Sequence, residues 1–215
     1  LYKKNSLEDI VSEFSKKIFF PLTVGGGIRK HEDIIRLLNK GADRVSINSI
    51  FFHDKLLLSK FIETFGSSTI CSNLEVQKID GKYFVYKDFG RNNTNILLTE
   101  WLKYIQDFGI GEIIITSIAY EGVQKGFDLE LLEVIEKLIF VPILIHGGAG
   151  SLEDILTISQ YNFISGVVLS SVLHNKKKNQ INNEDKKKYI YEIKNELTIN
   201  EIKNYLLSNN VEINH

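Results

Sequence analysis

The segment Pro21-Leu-Thr-Val-Gly-Gly-Gly-Ile28 returns 121 residues later as Pro142-Ile-Leu-Ile-His-Gly-Gly-Ala149. Both copies are short apolar runs that lead into consecutive glycines, three in the first copy and two in the second. The similarity continues past the glycines, because Glu32-Asp33-Ile34 matches Glu153-Asp154-Ile155 at the same offset. Solenoid repeats have periods of about 20–50 residues, so this longer period indicates a duplicated half-domain.

Length and composition fit one α/β domain. The chain has 215 residues, of which 43% are apolar, enough for a substantial core. The formal net charge of −1 argues against a nucleic-acid-binding protein. No apolar run reaches about 18 residues, so we expect no membrane span, and we expect no signal peptide. Cys71 is the one cysteine, which excludes an internal disulfide and favours a cytoplasmic location.

Short apolar runs alternate with amphipathic stretches along the chain. The runs are typical of buried parallel strands, and the stretches between them have helical spacing. Six strand–helix units in succession predict a parallel sheet with right-handed crossovers, either an open doubly wound sheet or a closed barrel. The predicted strands are residues 19–24, 44–48, 69–76, 112–118, 141–146 and 166–170.

The duplication favours the barrel. Residues 1–20 align with residues 122–141, which follow the predicted strand 112–118. By symmetry, the first half is expected to own a matching strand before Leu1, and the complete scheme then has eight strands. We therefore predict a single TIM-barrel domain, (β/α)₈, over residues 1–215. It is built of two similar halves, and its first strand-helix-strand is missing from this chain.

Two segments interrupt the alternation of strands and helices. Residues 77–95 are predicted to form a hairpin and loop insertion, because Asp80-Gly81 lies between alternating residues and is a strong turn signal. Within this insertion, residues 87–95 are expected to be a polar loop. Residues 175–197 are rich in Lys and Asn, and we interpret them as a solvated insertion.

Glycines and polar residues recur where the predicted strands end. Gly147-Gly148 follow one strand and Ser170-Ser171 end the next, and Gly26-Gly27 with Asn48-Ser49 repeat this arrangement in the first half. Glycine turns with neighbouring hydroxyl groups bind phosphate through backbone N–H groups. Barrel substrates lie at this end of the strands, so two such sites predict a substrate with a phosphate at each end. The alternative is that the glycines serve only tight turns.

Three ionisable residues are candidates for contacts or acid–base chemistry at the same end of the barrel. Glu75 lies in a predicted strand, where a carboxylate is costly unless it faces the polar mouth; otherwise it points outward and begins the hairpin. Glu121 follows another strand and is either a second carboxylate of the site or a solvated loop residue. His146 is either a polar contact at the mouth or a packing histidine.

Charged residues also occur at the opposite strand ends. Asp43 and Arg44 lie at the start of one predicted strand, and Glu112 begins another. If Arg44 and Glu112 point inward, we expect them to pair across the barrel floor, because an unpaired charge there would be costly. The alternative is that these charges are solvated.

Four segments resemble the HisF family, the cyclase subunit of imidazole glycerol phosphate synthase. They are residues 21–28, 41–48, 111–118 and 146–150. The resemblance runs from residue 7 to 174, resumes over residues 198–206, and implies a (β/α)₈ barrel of two similar halves. It also implies a reaction in which ammonia from a glutaminase partner converts a bisphosphorylated ribulosyl nucleotide into imidazole glycerol phosphate and AICAR.

The resemblance assigns phosphate binding and catalysis to individual residues. The family's two catalytic aspartates lie in its first and fifth strands; Glu75 stands at the fifth-strand position, and the first-strand position is absent from this chain. Glu121 replaces another aspartate that is usual in the loop after strand six. The phosphate-binding positions are Gly27, Asn48 and Ser49 for one phosphate and Gly122, Gly148, Ser170 and Ser171 for the other.

The resemblance also assigns the opposite face. Asp43 matches a partner-docking position, and Arg44 and Glu112 match two charged residues that ring the ammonia entrance. The implied partners are a HisH-like glutaminase subunit and a bisphosphorylated small molecule. No cofactor, metal, nucleic acid or membrane is implied.

The departures from the family pattern leave alternatives open. Replacing Asp by Glu moves a carboxylate by one C–C bond, and a displacement of about 1 Å can lower a rate roughly a hundredfold. We therefore expect one of two functions. The first is a cyclase that uses Glu75 and a missing upstream aspartate as general acid and base, with Glu121 as a further catalytic carboxylate. The second is a HisF-like paralogue that passes ammonia to a sugar-amidating enzyme of surface polysaccharide synthesis. A fragment unable to close its barrel, and hence inactive, is a third possibility.

Overall fold

A computed structural model describes residues 7–173 and 197–213. The predicted Lys- and Asn-rich insertion, residues 175–197, lies outside the described residues except for Leu197. The described strands are β1 (Thr23–Gly25), β2 (Arg44–Ile47), β3 (Ile70–Ile79), β4 (Lys82–Lys87), β5 (Asn92–Leu97), β6 (Glu112–Ser117), β7 (Ile143–His146) and β8 (Gly166–Val168).

The strands form one sheet. Six of them are parallel neighbours in the order β1-β2-β3-β6-β7-β8, while β4 pairs with β3, and β5 with β4, in antiparallel fashion. Helices alternate with the parallel strands along the chain. This curled parallel sheet is a half-barrel, and it confirms the predicted (β/α)₈ fold class.

The helices cover the outer face of the sheet. They are α1 (Leu7–Ser15), α2 (His31–Asn39), α3 (Ile50–His53), α4 (Lys55–Phe65), α5 (Leu98–Asp107), α6 (Leu129–Ile135), α7 (Leu152–Ser159) and α8 (Ile199–Ser208). Outward strand residues such as Val45, Leu74 and Ile113 are fully buried. Each such side chain contributes about 1.5–3 kcal/mol of transfer free energy. Their sequence neighbours point to the inner face, because side chains alternate along a strand.

The duplication extends to individual hydrogen bonds. Oδ2 of Asp33 accepts from the backbone N–H groups of the two residues that precede α2, at 2.9 and 3.1 Å. Oδ2 of Asp154 accepts from the two residues that precede α7, at 2.9 and 2.9 Å. The two aspartates are partners in the repeat, so both halves use the same device to begin the helix that follows the glycine turn.

The first predicted strand is shorter than expected. The sequence predicts residues 19–24, whereas β1 begins at Thr23. Phe19 and Phe20 are exposed, at 102% and 68% of their accessible surface, so these apolar residues are not part of the core. A short apolar run therefore predicted the existence of the strand but not its first residue.

The hairpin predicted at Asp80-Gly81 is present. Ile79 pairs with Lys82 across the turn, and φ is 47° at Asp80 and 78° at Gly81, as a two-residue hairpin turn requires. The polar loop predicted over residues 87–95 is wrong in its second half, because Asn92 begins β5. β5 pairs with β4, and this pairing provides hydrogen bonds for the backbone N–H and C=O groups of a segment that has no apolar alternation.

Candidate functional site

The first candidate site is a cavity at the carboxyl ends of β1, β2 and β3. Its wall contains the glycine turn after β1, Asn48 and Ser49 after β2, and Glu75 in β3. Gly26 and Gly27 have φ of 106° and 69°, a backbone conformation that residues with side chains rarely adopt. The three residues predicted to bind one phosphate thus share a cavity with the predicted catalytic carboxylate.

Glu75 is held at this cavity by two hydrogen bonds. Its Oε2 accepts from Asn48 Nδ2 at 3.2 Å and from the backbone N–H of Gly90 at 3.1 Å. Burial raises the pKa of Glu75, the charges of Glu121 and Asp88 raise it further, and the two hydrogen bonds oppose these effects. Glu75 therefore faces the inside of the barrel rather than the outer surface.

Two amide oxygens in the wall of the first cavity lack a hydrogen-bond partner within the described residues. They are Oδ1 of Asn48 and Oδ1 of Asn73, and both atoms are buried. An unpaired buried acceptor typically costs about 1–3 kcal/mol. These oxygens are therefore suited to accept N–H or O–H groups from a ligand. Asn73 was not predicted from the sequence; its signal is an amide two residues before Glu75, and hence on the same face of the strand.

The second candidate site is a cavity at the carboxyl ends of β6, β7 and β8. Gly147 and Gly148, at φ of 98° and 111°, form the turn after β7. All four residues predicted to bind the other phosphate line this cavity, and so does the second predicted carboxylate. These residues are Gly122, Gly148, Ser170, Ser171 and Glu121.

A row of three side chains lies between the two cavities. Glu75, Thr116 and His146 are register partners on β3, β6 and β7. Thr116 Oγ1 and His146 Nδ1 lie 3.0 Å apart, and His146 lines the second cavity. Burial lowers the pKa of His146, whereas the charge of Glu121 raises it. The charge of Glu121 therefore raises the pKa of both ionisable groups in this row, Glu75 and His146.

The opposite end of the sheet carries the expected ion pair. Arg44 Nη1 donates to Glu112 Oε1 at 2.7 Å. Cys71 lies beside this pair, and burial together with the Glu112 charge raises the pKa of its thiol to about 12. Asp43 Oδ2 accepts from the backbone N–H of Leu22 at 2.8 Å, so this aspartate also anchors the start of β1. The roles of these residues at a partner interface and an ammonia entrance remain predictions.

A buried carboxylate that the sequence analysis missed holds the hairpin to the barrel. Oδ1 of Asp128 accepts from Tyr83 Oη at 2.8 Å, and its Oδ2 accepts from Ser117 Oγ at 2.7 Å. Asp128 is also the N-cap of α6, where it accepts from Leu131 N at 3.2 Å. The signal in the sequence is an aspartate directly before a helical run. This network fixes β4 against β6 and so positions the end of β4, from which the turn that contains Gly90 continues.

Comparison with known proteins identifies similar chains over most of this length. A family model described as "Histidine biosynthesis protein" matches residues 2–179. A relative from Exiguobacterium sp., named "Imidazole glycerol phosphate synthase subunit HisF", is 38% identical over 175 residues, which cover 81% of this chain and 68% of that protein. A relative of the same name from Prochlorococcus marinus is 37% identical over 213 residues, or 98% and 76% of the two chains. A third, from Legionella pneumophila, is 39% identical over 155 residues, or 72% and 73%.

Proposed function

This chain belongs to the HisF subunits of the histidine biosynthesis protein family, and on that premise we propose that it is the cyclase subunit of imidazole glycerol phosphate synthase. As an enzyme subunit of histidine biosynthesis, it would use ammonia to convert a bisphosphorylated ribulosyl nucleotide into imidazole glycerol phosphate and AICAR. The relatives described above are all named as synthase subunits, which favours this reaction over the ammonia-passing alternative.

The observation that carries the proposal is the pair of glycine-lined cavities at one end of one sheet, with Glu75 in the wall of the first. In the first cavity, backbone N–H groups near Gly27 and the polar groups of Asn48 and Ser49 would bind one phosphate. In the second cavity, the same task falls to Gly122, Gly148, Ser170 and Ser171. A substrate with a phosphate at each end would then extend across the row of inner-face side chains.

Glu75 is suited to exchange protons with a substrate bound in this way. Its raised pKa keeps a larger fraction of the carboxyl protonated near neutral pH, and efficient proton exchange needs a pKa close to the working pH. Glu121 would supply a second carboxylate from the wall of the second cavity.

The opposite face would receive a glutaminase subunit and its ammonia. Asp43 lines a shallow cavity there together with Phe19 and Phe20, whose rings are exposed. Exposed aromatic residues are enriched at protein interfaces. Ammonia released by the docked glutaminase would enter the barrel beside the Arg44–Glu112 pair, which lies on the inner face at this end.

The test supplies the protein, expressed from its complete reading frame, with ammonium salt and the ribulosyl nucleotide and measures AICAR. We expect turnover, and we expect Glu75→Gln to lower kcat by about a hundredfold or more, because the amide cannot exchange a proton. Glu63→Gln, on the exposed surface of α4, is the matched control and should leave kcat unchanged. If the nucleotide binds in calorimetry but no AICAR forms, the cyclase assignment is wrong and the ammonia-passing role is supported.

A further inference from the structure

His146 is fixed at the end of β7 by its neighbour on β6. Thr116 and His146 are register partners on the inner face, and the threonine hydroxyl lies 3.0 Å from Nδ1. A hydroxyl group can donate or accept, so this contact is satisfied in either neutral tautomer of the imidazole. The ring is therefore held in place whichever nitrogen carries the proton.

The other ring nitrogen of His146 is available to a ligand. Nε2 has no hydrogen-bond partner within residues 7–173 and 197–213, and the side chain is only partly buried. His146 lines the second cavity together with the glycine turn that follows β7 and with Glu121. A ligand bound at the glycine turn would therefore lie beside this imidazole.

The protonation state of His146 suits a proton acceptor. Burial lowers its pKa, and the charge of Glu121 on the neighbouring loop partly offsets this effect. The ring is therefore mostly neutral near neutral pH, with one nitrogen free to take a proton. Thr116, the neighbour on β6, carries no charge.

We propose that His146 is a catalytic residue that exchanges a proton with the substrate at Nε2, in addition to Glu75. This inference rests on the proposed cyclase function. When ammonia adds to the ketone of a ribulosyl unit, the N–C bond forms as the π pair of the carbonyl moves to oxygen. The nitrogen must then lose one proton and the oxygen must gain one. Neutral Nε2 of His146 takes a proton from the nitrogen that came from ammonia, and the electron pair of the broken N–H bond stays on that nitrogen. The resulting imidazolium gives the proton to the oxygen and becomes neutral again.

The experiment compares His146→Gln and His146→Asn with the unmodified protein in the ammonium-dependent assay. The amide of Gln reaches the position of Nε2 and can hydrogen-bond, but it cannot titrate. We expect kcat to fall by roughly a hundredfold or more in both variants, with the KM for the nucleotide changed by less than about threefold. Thr116→Val keeps the imidazole but removes its anchor, and we expect a loss of kcat of about tenfold.

His31→Asn is the matched control, because this partly buried histidine of α2 packs against Phe65 and does not line either cavity. Its kcat should equal that of the unmodified protein. A His146→Gln variant with unchanged kcat would overturn the inference and leave the cyclase assignment intact. A raised KM with unchanged kcat would also overturn it, since that result assigns the imidazole to phosphate binding. Absence of AICAR from the unmodified protein would overturn the proposed function and this inference together.

Discussion

The two glycine turns have related backbones and different surroundings. In the second turn, a Cβ added to Gly148 would lie 2.1 Å from the carbonyl oxygen of Gly126, and one added to Gly147 would lie 3.0 Å from that of Ser117. In the first turn, a Cβ added to Gly26 or Gly27 would meet no atom within 4 Å. The second turn is packed against neighbouring backbone, whereas the first opens onto empty space.

This difference indicates that glycine is required for a different reason in each turn. At Gly148, close packing alone excludes any side chain, and the backbone of Gly126 donates to Gly148 O at 2.9 Å across the same contact. At Gly27, no neighbouring atom excludes a side chain. Glycine is favoured there by the positive φ and by the space that it leaves for a ligand. The glycines of the first turn are therefore the better evidence for phosphate binding, although the two motifs look equivalent in the sequence.

The largest expected effect is the loss of stability in Gly148→Ala. The added methyl group would lie far inside contact distance of the Gly126 backbone, which has no flexible side chain to move aside. We expect the free energy of unfolding to fall by about 4 kcal/mol or more. Denaturant unfolding, monitored by far-UV circular dichroism, measures this change. A loss below about 1 kcal/mol would show that the loop containing Gly126 moves freely, and the contrast between the turns would disappear.

Gly27→Ala tests the open turn and should have a smaller effect on stability. An alanine in the left-handed region costs roughly 1–2 kcal/mol, and nothing nearby obstructs its methyl group. The same methyl group would occupy space that the proposed phosphate needs. We therefore expect the KM for the nucleotide to rise about tenfold, which corresponds to about 1.4 kcal/mol of binding free energy. An unchanged KM would remove this turn from the phosphate site.

The sequence was sufficient to predict those elements of the fold whose signal lies in their own residues. Each of the six parallel strands was predicted from an apolar run, and the hairpin turn was predicted from Asp80-Gly81. β5 was missed because Asn92, Asn93 and Thr94 carry no apolar alternation; β4 supplies its partner through the turn. Strand pairing of this kind is decided by tertiary context rather than by the segment's own composition.

The sequence predicted several residues that line the two cavities, but not the contacts between them. Glycine pairs and strand ends indicated which residues meet at the two cavities. The hydrogen bond from Gly90 N to Glu75 joins the turn between β4 and β5 to β3, and the Thr116–His146 contact depends on the register of β6 and β7. The difference between the two turns likewise comes from the loop around Gly126, which no local pattern reveals.

Glu75, in the wall of the first cavity, and His146, in the wall of the second, have pKa values shifted in opposite directions. Burial is the largest cause of both pKa shifts, and it raises the pKa of Glu75 and lowers that of His146. Both shifts favour the neutral form of the side chain, because burial penalises charge. On the inner face, the Glu75 carboxyl group of β3 and the His146 imidazole of β7 are thus each closer to the neutral state than they would be in water.

The smallest expected effect, and the one that tests this electrostatic contrast, is a pH-dependent gain of stability in Glu75→Gln. Between the ordinary carboxyl pKa of 4.5 and the raised value in the folded protein, the folded state binds more protons than the unfolded state. The contribution of Glu75 to stability therefore falls as pH rises through this window, and glutamine removes that contribution. We expect the two proteins to melt alike near pH 4 and the variant to melt at a higher temperature near pH 7. Glu63→Gln serves as the exposed control, and equal melting temperatures of Glu75→Gln and the unmodified protein at both pH values would mean that burial does not disfavour the Glu75 charge.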